Sequence, residues 1–381
     1  MRWIPRFLGP LLLLVFGVLC AEVVLRVVPS PVQHPPFQEF DDPDSLLGVE
    51  LVASTKVTKR TACYTSQIST NALGWRDRER TIEKQPGVTR IAVLGDSFIE
   101  ASQVGDEETM TRQLEELLGD RVEVLNFGMS SIGTVQEEIL YDKVVRDFHP
   151  DIVLLAFYSN DVQNSDPVLE GGVDRNTRLT YRDAAGELVS WREGTAFFGV
   201  RKWLRLRSGV FRLLKMAYGM ARSVGEDSLP ADTNVGSLPV AYGVYQDPPS
   251  AEWERGWRAV EGALVRLQRE MGSGTVLLAF AVPELLQVAP DATALIRETY
   301  GKNPPEGFDA LVPHDRFQQI AQRLRIPTID LLPAFIAERE RRQLEYPYFS
   351  YACDGHWNAA GHLFAAETLA RFLLPQLDVR R

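Results

Sequence analysis

The sequence predicts an α/β fold: a three-layer sandwich on a five-stranded parallel sheet, carrying one large and mostly helical insertion. Three observations predict it. Five short apolar runs of strand length recur along the body of the chain. Amphipathic stretches of helical period lie between them. The interval between the third and fourth runs exceeds 100 residues, far beyond an ordinary crossover. Strands alternating with helices call for a parallel sheet covered on both faces, because each crossover lays a helix on the sheet.

Residues 1–29 stand apart from that body. Arg2 and Arg6 precede an apolar run over 7–21, which continues past Glu22 to Arg26 and Val28. The run is about 20 residues long, enough to span ~30 Å of hydrocarbon. A retained signal-anchor is expected, with Glu22 and Arg26 at its far end, within reach of the interface. A cleaved signal peptide is the alternative, with Leu19-Cys20-Ala21 a mediocre cleavage site. Cys20 is a poor lipidation candidate behind the bulky Leu19. Arginines ahead of the span put the N-terminus inside and the rest outside the cytoplasm, so the expected location is the cell membrane with a periplasmic body, or secretion after cleavage. Residues 30–70 read as a linker and N-terminal extension, rich in proline and acid over 29–44.

The body, 71–381, opens its sheet at 90–94, apolar after Arg90 and stopped by Gly95, as a doubly buried strand should be. A helix over 107–118 sets Leu114, Leu117 and Leu118 on one face. Residues 122–126 are the second strand, 135–148 a helix closed by Pro150, and 151–157 the third strand. The fourth strand is 275–282, ended by Pro283; a helix over 317–324 leads to a fifth strand at 326–331, and a last helix covers 358–374.

The insertion is expected over about 164–274. Residues 164–193 are loop-like, 197–222 helical, 223–249 a mobile loop, and 250–271 a helix with Trp253, Trp257, Val260, Leu264 and Leu267 in period. The stretch 197–222 carries Arg201, Lys202, Arg205, Arg207, Arg212, Lys215 and Arg222 and no acid. It reads either as a basic amphipathic element at a membrane surface or as a lid packed on the body with a solvated basic face.

Composition narrows the function. With 45% hydrophobic and 24% charged residues, the chain is neither collagenous, mucin-like, disordered nor polytopic. Its formal charge is −10; without the three bases and one acid of 1–29, 38 bases and 50 acids leave −12. No basic arm is present, so nucleic acid is not an expected partner. Three cysteines are too few for a disulfide scaffold or a four-cysteine zinc site, and Cys63 and Cys353 are either a disulfide or two thiols.

Chemistry gathers at the strand ends. Gly95-Asp96-Ser97 puts a serine after the first strand, where open α/β sheets place their sites. Gly128 follows the second strand and could offer a backbone N–H. Asn160-Asp161 follows the third, where an amide can face a developing oxyanion. Asp354-Gly355-His356-Trp357 precedes the last helix and brings an acid beside an imidazole. Singly, each has an ordinary reading as turn, cap or surface residue; His362 reads as a packing or capping residue of the last helix. In this order they supply a nucleophile, a base, an orienter and oxyanion donors. Trp191, Trp203, Trp253, Trp257 and Trp357 could stack on sugars, though most tryptophans serve cores or interfaces.

These four blocks resemble the SGNH (GDSL) hydrolase family, over about 71–374 with 164–274 outside the resemblance. Residues 71–77 (Asn-Ala-Leu-Gly-Trp-Arg-Asp) are similar to the lead-in of its membrane-anchored bacterial members. The resemblance implies an SGNH/flavodoxin-like sheet and a triad of Ser97, His356 and Asp354. It implies oxyanion donors at Ser97, Gly128 and Asn160, with Asp96 and Asp161 in support and no metal or organic cofactor. Two departures stand out. Tyr158 occupies a position where the family usually has glycine, and Asp354 precedes His356 by two residues rather than three, with Trp357 following. This spacing of acid, histidine and tryptophan resembles the branch of alginate-type O-acetyltransferases. The expected function is a serine esterase or deacylase acting on a small ester or acylated glycan. The alternatives are an O-acyltransferase modifying an exopolysaccharide or envelope glycan, and a non-catalytic glycan-binding envelope protein. Envelope or polysaccharide-assembly proteins are the expected protein partners.

Overall fold

The computed structural model describes residues 4–28, 36–40, 45–171, 179–183, 185–190, 198–225, 238, 240–272, 274–343 and 347–378. The chain divides into two units: Met1–Pro36 with Glu193–Val235, and Phe37–Arg192 with Gly236–Arg381. The first unit starts with helix α1 (Ile4–Val27), whose residues 9–27 are apolar and long enough to cross a membrane.

The second unit holds the sheet. Strand β1 (Thr89–Gly95) is followed by α2 (Met110–Leu118), β2 (Val122–Gly128), α3 (Thr134–Lys143) and β3 (Ile152–Phe157). The chain then supplies two helices to the first unit, α4 (Phe198–Arg207) and α5 (Gly209–Gly225). It returns with α6 (Ala251–Glu270), β4 (Val276–Ala281), α7 (Val312–Leu324), β5 (Thr328–Ile329), α8 (Leu332–Arg342) and α9 (Ala359–Asp378). The strands lie in the order β5-β4-β3-β1-β2 and every pairing is parallel. This is the three-layer, five-stranded sandwich the sequence predicts.

Alternation along the strands builds two cores. Ala92, Leu94, Leu155 and Phe157 face one side, where Ile139 of α3, Trp257 and Leu264 of α6 and Phe317 of α7 pack. Ile91, Val93, Leu154 and Ala156 face the other, against Leu114 of α2, Phe335 of α8 and Leu369 of α9. Because both faces are dry, the strands read as unbroken apolar runs. The chain leaves β1 for β2 on one side and returns to β3 on the other. The C-terminal ends of β1 and β3 therefore flank the crevice where such sheets bind ligands.

Several boundaries differ from the sequence reading. Within 30–70, read as linker and N-terminal extension, the antiparallel pairs Gln38–Phe40 with Val49–Leu51 and Lys56–Arg60 with Thr65–Ser69 belong to the second unit. The interval 164–274 is not one inserted body. Helix α6 covers the sheet with Trp257, Val260, Leu264 and Leu267 fully buried, so it is the ordinary crossover helix. The loop-like 164–193 contains the helix Pro167–Gly171 and the hairpin Thr180–Arg182 with Leu188–Ser190. That hairpin is tied down by Arg182, whose guanidinium pairs with Glu138 and with Asp142 at 2.9 Å. The basic stretch breaks at Ser208 into α4 and α5. Of the expected loop 223–249, residues 226–237 and 239 lie outside the described residues, and Val240–Tyr245 is a 3₁₀ helix.

Candidate active site

Ser97 opens a four-residue helical turn, Ser97–Glu100, directly after β1. Asp96 is its N-cap: the carboxylate accepts the Phe98 N–H at 2.9 Å. The turn is braced from the lead-in segment. The buried Arg76 guanidinium donates to the Glu100 carbonyl at 2.8 Å and to those of Ala101 and Val104. The Glu100 and Ala101 carbonyls end the turn, so Arg76 fixes its exit while Asp96 fixes its entry. The serine is presented on a rigid support rather than on a loose loop.

His356 reaches Ser97 from the opposite end of the chain. Its Nε2 lies 2.7 Å from Ser97 Oγ, and its Nδ1 is bonded to Asp354 Oδ1. An ionised carboxylate only accepts, so the proton sits on Nδ1 and leaves Nε2 free to take the serine proton. The bond to His356 holds the Asp354 carboxyl below the usual carboxylate range, against a smaller opposing effect of burial. The two-residue spacing works because Gly355 turns at φ 87°, a left-handed conformation open to glycine. The Gly355 N–H and the His356 carbonyl both close on Tyr351, at 2.7 and 2.9 Å. Below the imidazole, Phe98 sits 4.7 Å from His356, 4.5 Å from Tyr158 and 5.3 Å from Trp357 between ring centroids. Trp357 is fully buried and donates to the Pro283 carbonyl at 3.1 Å, so it anchors this loop and is not a sugar-stacking ring. Tyr158, where the related pattern has glycine, fills the floor beside Phe98.

The remaining expected residues divide. Asn160 begins the helical turn after β3; its side-chain amide lowers the Asp96 carboxyl against the larger effect of burial, and its Oδ1 is buried with no hydrogen-bond partner among the described residues. Asp96 is fully buried, and burial pushes its carboxyl above the usual range; Ser97 Oγ lies 3.3 Å from its Oδ2. Asp161 bonds Thr134 Oγ1 at 3.0 Å, and burial beside Glu137 and Asp96 pushes its carboxyl well up. Gly128 corrects the sequence reading. Its N–H is donated to Asn126 Oδ1 at 2.8 Å, and a Cβ there would lie 2.2 Å from the Glu100 nitrogen. It is a close-packing glycine that lets β2 approach the turn after Ser97, and its N–H is already spent. The exposed N–H nearest to it in the chain without a partner among the described residues is Ser131, at φ 68°.

Other residues at the site gave no motif. Cys63 and Cys353 are joined, with Cα atoms 6.0 Å apart across 290 residues. The bond staples the hairpin Lys56–Arg60 with Thr65–Ser69 to the residue before Asp354. Tyr64 packs against Tyr351 with the rings tilted by 42° and their centroids 5.2 Å apart; burial, and then the Asp354 carboxylate, push its hydroxyl up to about 12. A cleft of about 370 Å³ opens beside Asn160 and Asp354, walled by Tyr158, Tyr242, Tyr245 and Tyr300. Burial pushes Glu284, on its floor, up to about 7, although the Tyr245 hydroxyl donates to it. His362 is fully buried and accepts the Met110 N–H at 3.3 Å, a packing role as expected. Trp253 and Trp257 are core residues, Trp203 is exposed, and Trp191 lies outside the described residues.

Neither a protein-family model nor a curated protein matches the sequence. Among solved structures, the chain is similar to the acetyl xylan esterase AlAXEase, with a TM-score of 0.41 and 14% identity over 74% of this chain and 99% of that one. It is similar to a catalytic mutant of an acetylxylan esterase from Geobacillus stearothermophilus, with a TM-score of 0.39 and 12% identity over 76% of this chain and 95% of that one. A two-domain esterase (CEX) active on acetylated mannans is matched with a TM-score of 0.39 and 12% identity over 75% of this chain and 49% of that one, so the chain spans about half its length.

Proposed function

We propose that the chain is a serine-dependent ester hydrolase of SGNH type, working through an acyl-enzyme. The observation that carries the proposal is the approach of His356 Nε2 to Ser97 Oγ, with Asp354 on the other imidazole nitrogen. Ser97 Oγ attacks the ester carbonyl while its proton passes to His356 Nε2. The ester C–O bond then breaks as His356 returns that proton to the leaving alcohol. Water, deprotonated by His356, attacks the acyl-enzyme, and Ser97 leaves with the proton. Asp354 holds the tautomer and stabilises the imidazolium.

Two donors remain for the oxyanion. The Ser97 N–H, at the start of its turn, has no partner among the described residues. The Asn160 side-chain nitrogen, at the start of the turn after β3, carries two N–H groups that an oxyanion can accept from. Asp96 acts as a positioning residue by capping the serine turn.

A second reading is acyl transfer to a glycan hydroxyl. Its sequence support is Asp354-Gly355-His356-Trp357; its structural support is the tyrosine-walled cleft beside Asp354, within the size range of ligand pockets. A sugar hydroxyl would then replace water in the second half-reaction. An acetyl ester supplied with and without a glycan acceptor separates the readings. Hydrolysis releases acetate at one rate regardless of acceptor; transfer labels the glycan. Turnover of neither kind leaves glycan binding alone.

We place this chemistry outside the cytoplasm on a retained anchor. Support comes from the apolar helix ending at Val27 and from the Cys63–Cys353 pair, a bond that persists in oxidising compartments.

A further inference from the structure

The first unit explains two charges that do not suit a membrane span. Glu22 and Arg26 lie one turn apart near the end of α1, and both are aimed at the break between α4 and α5. The Glu22 carboxylate accepts the Gly209 N–H at 2.9 Å, the Val210 N–H at 3.1 Å and the Ser208 hydroxyl at 3.0 Å. Arg26 donates to the Arg207 carbonyl at 3.3 Å. An acid therefore caps the positive start of α5 while a base caps the negative end of α4. Arg212 adds a bond to the Arg205 carbonyl at 2.9 Å, and the Ser208 hydroxyl accepts the Phe211 N–H at 3.1 Å. The hairpin is thus built onto the end of the anchor, with its helix ends satisfied by the anchor's own charges.

That attachment supports the membrane-surface reading of the basic stretch. The pair α4–α5 forms one unit with α1, not with the sheet. Over 198–225 it carries seven bases and no acid. Among the described side chains, Val200, Trp203, Leu214 and Tyr218 are 56%, 61%, 63% and 67% exposed, alongside exposed Arg201, Arg207 and Lys215. Large apolar rings and bases exposed together, at the end of a membrane-length helix, match the composition of an element lying in a headgroup layer. Charge complementarity selects the lipid: a hairpin with no acid attracts anionic headgroups.

We propose that α4–α5 is an interfacial hairpin that binds anionic phospholipid headgroups in the leaflet at the C-terminal end of α1. The proposal rests on α1 being retained and is independent of the serine chemistry. It is tested on the full chain in detergent, offered equal phosphatidylglycerol and phosphatidylcholine, with bound lipid read by native mass spectrometry. About tenfold enrichment of phosphatidylglycerol is expected. The variant Arg201→Gln/Arg207→Gln/Lys215→Gln should lose most of that preference while keeping hydrogen-exchange protection across α4–α5 and the wild-type rate on a soluble ester. Equal retention of the two lipids by the wild type overturns the proposal, whatever the variant does. So does a preference that survives in the folded variant, or a mature N-terminus beyond residue 21. Ester turnover is scored separately, so its absence would count against the enzyme proposal alone.

Discussion

His356 Nε2 stands 2.7 Å from Ser97 Oγ although 259 residues separate them. The two meet because β1 ends beside the crevice between β1 and β3, while the loop before α9 is pinned over that end by Trp357 below and the Cys63–Cys353 bond at its side. Ser97→Ala and His356→Ala should each lower kcat for an acetyl ester by about 10⁴ or more, and the double variant should be little worse than either. Additive losses in steady-state kinetics would show that the two do not act as a unit.

Asn160→Ala should cost ~10²–10³ in kcat with little change in KM, the signature of a lost oxyanion donor. Gly128→Ala should behave differently. Its added Cβ meets the Glu100 backbone at 2.2 Å, so the loss falls on folding, visible as a lower Tm. A fully stable Gly128→Ala protein with a selective loss of kcat would restore Gly128 as a donor.

The strands were legible because dry faces on both sides leave unbroken apolar runs such as 152–157. The serine, asparagine and Asp-His blocks stood out only together, because they follow successive strand ends in one order, while each alone has an ordinary reading as turn, cap or surface residue. Gly128 was not, since a glycine that offers an N–H and one that admits a neighbouring backbone are the same letter in sequence. The pair Lys56–Arg60 with Thr65–Ser69 hides because Lys56–Arg60 has no buried residue and shows no alternation. Helix α8 hides because the run Glu338–Arg342 is all charge and only Leu332 and Phe335 of the helix are fully buried. The break at Ser208 depends on Glu22, 186 residues away, which no local pattern announces.

Replacing Cys63 and Cys353 by serine should lower stability by about 2–5 kcal/mol, as loss of a native disulfide typically does. It should also lower kcat, because the staple sits next to Asp354. Thermal unfolding and ester turnover with and without reductant check both; wild-type kcat in the double variant would limit the bond to a stability role.

Burial pushes Glu284 up to about 7 from an ordinary 4.5. An acid with a raised folded-state pKa holds more protons folded than unfolded, so its contribution to stability is complete below about 4.5 and is lost as pH rises to about 7. Glu284→Gln should therefore flatten the fall of Tm across that window, leaving the variant more stable than wild type above pH 7, by roughly 3 kcal/mol at most. Parallel Tm–pH curves for the two proteins would contradict a buried, late-ionising Glu284.

The most direct test of the central claim is reaction of the intact protein with a serine-directed fluorophosphonate, read by peptide mass mapping. One adduct is expected, on Ser97, absent from Ser97→Ala and much slower to form in His356→Ala. No labelling of folded wild type under conditions that label a known serine esterase, or an adduct on any other serine, would contradict it.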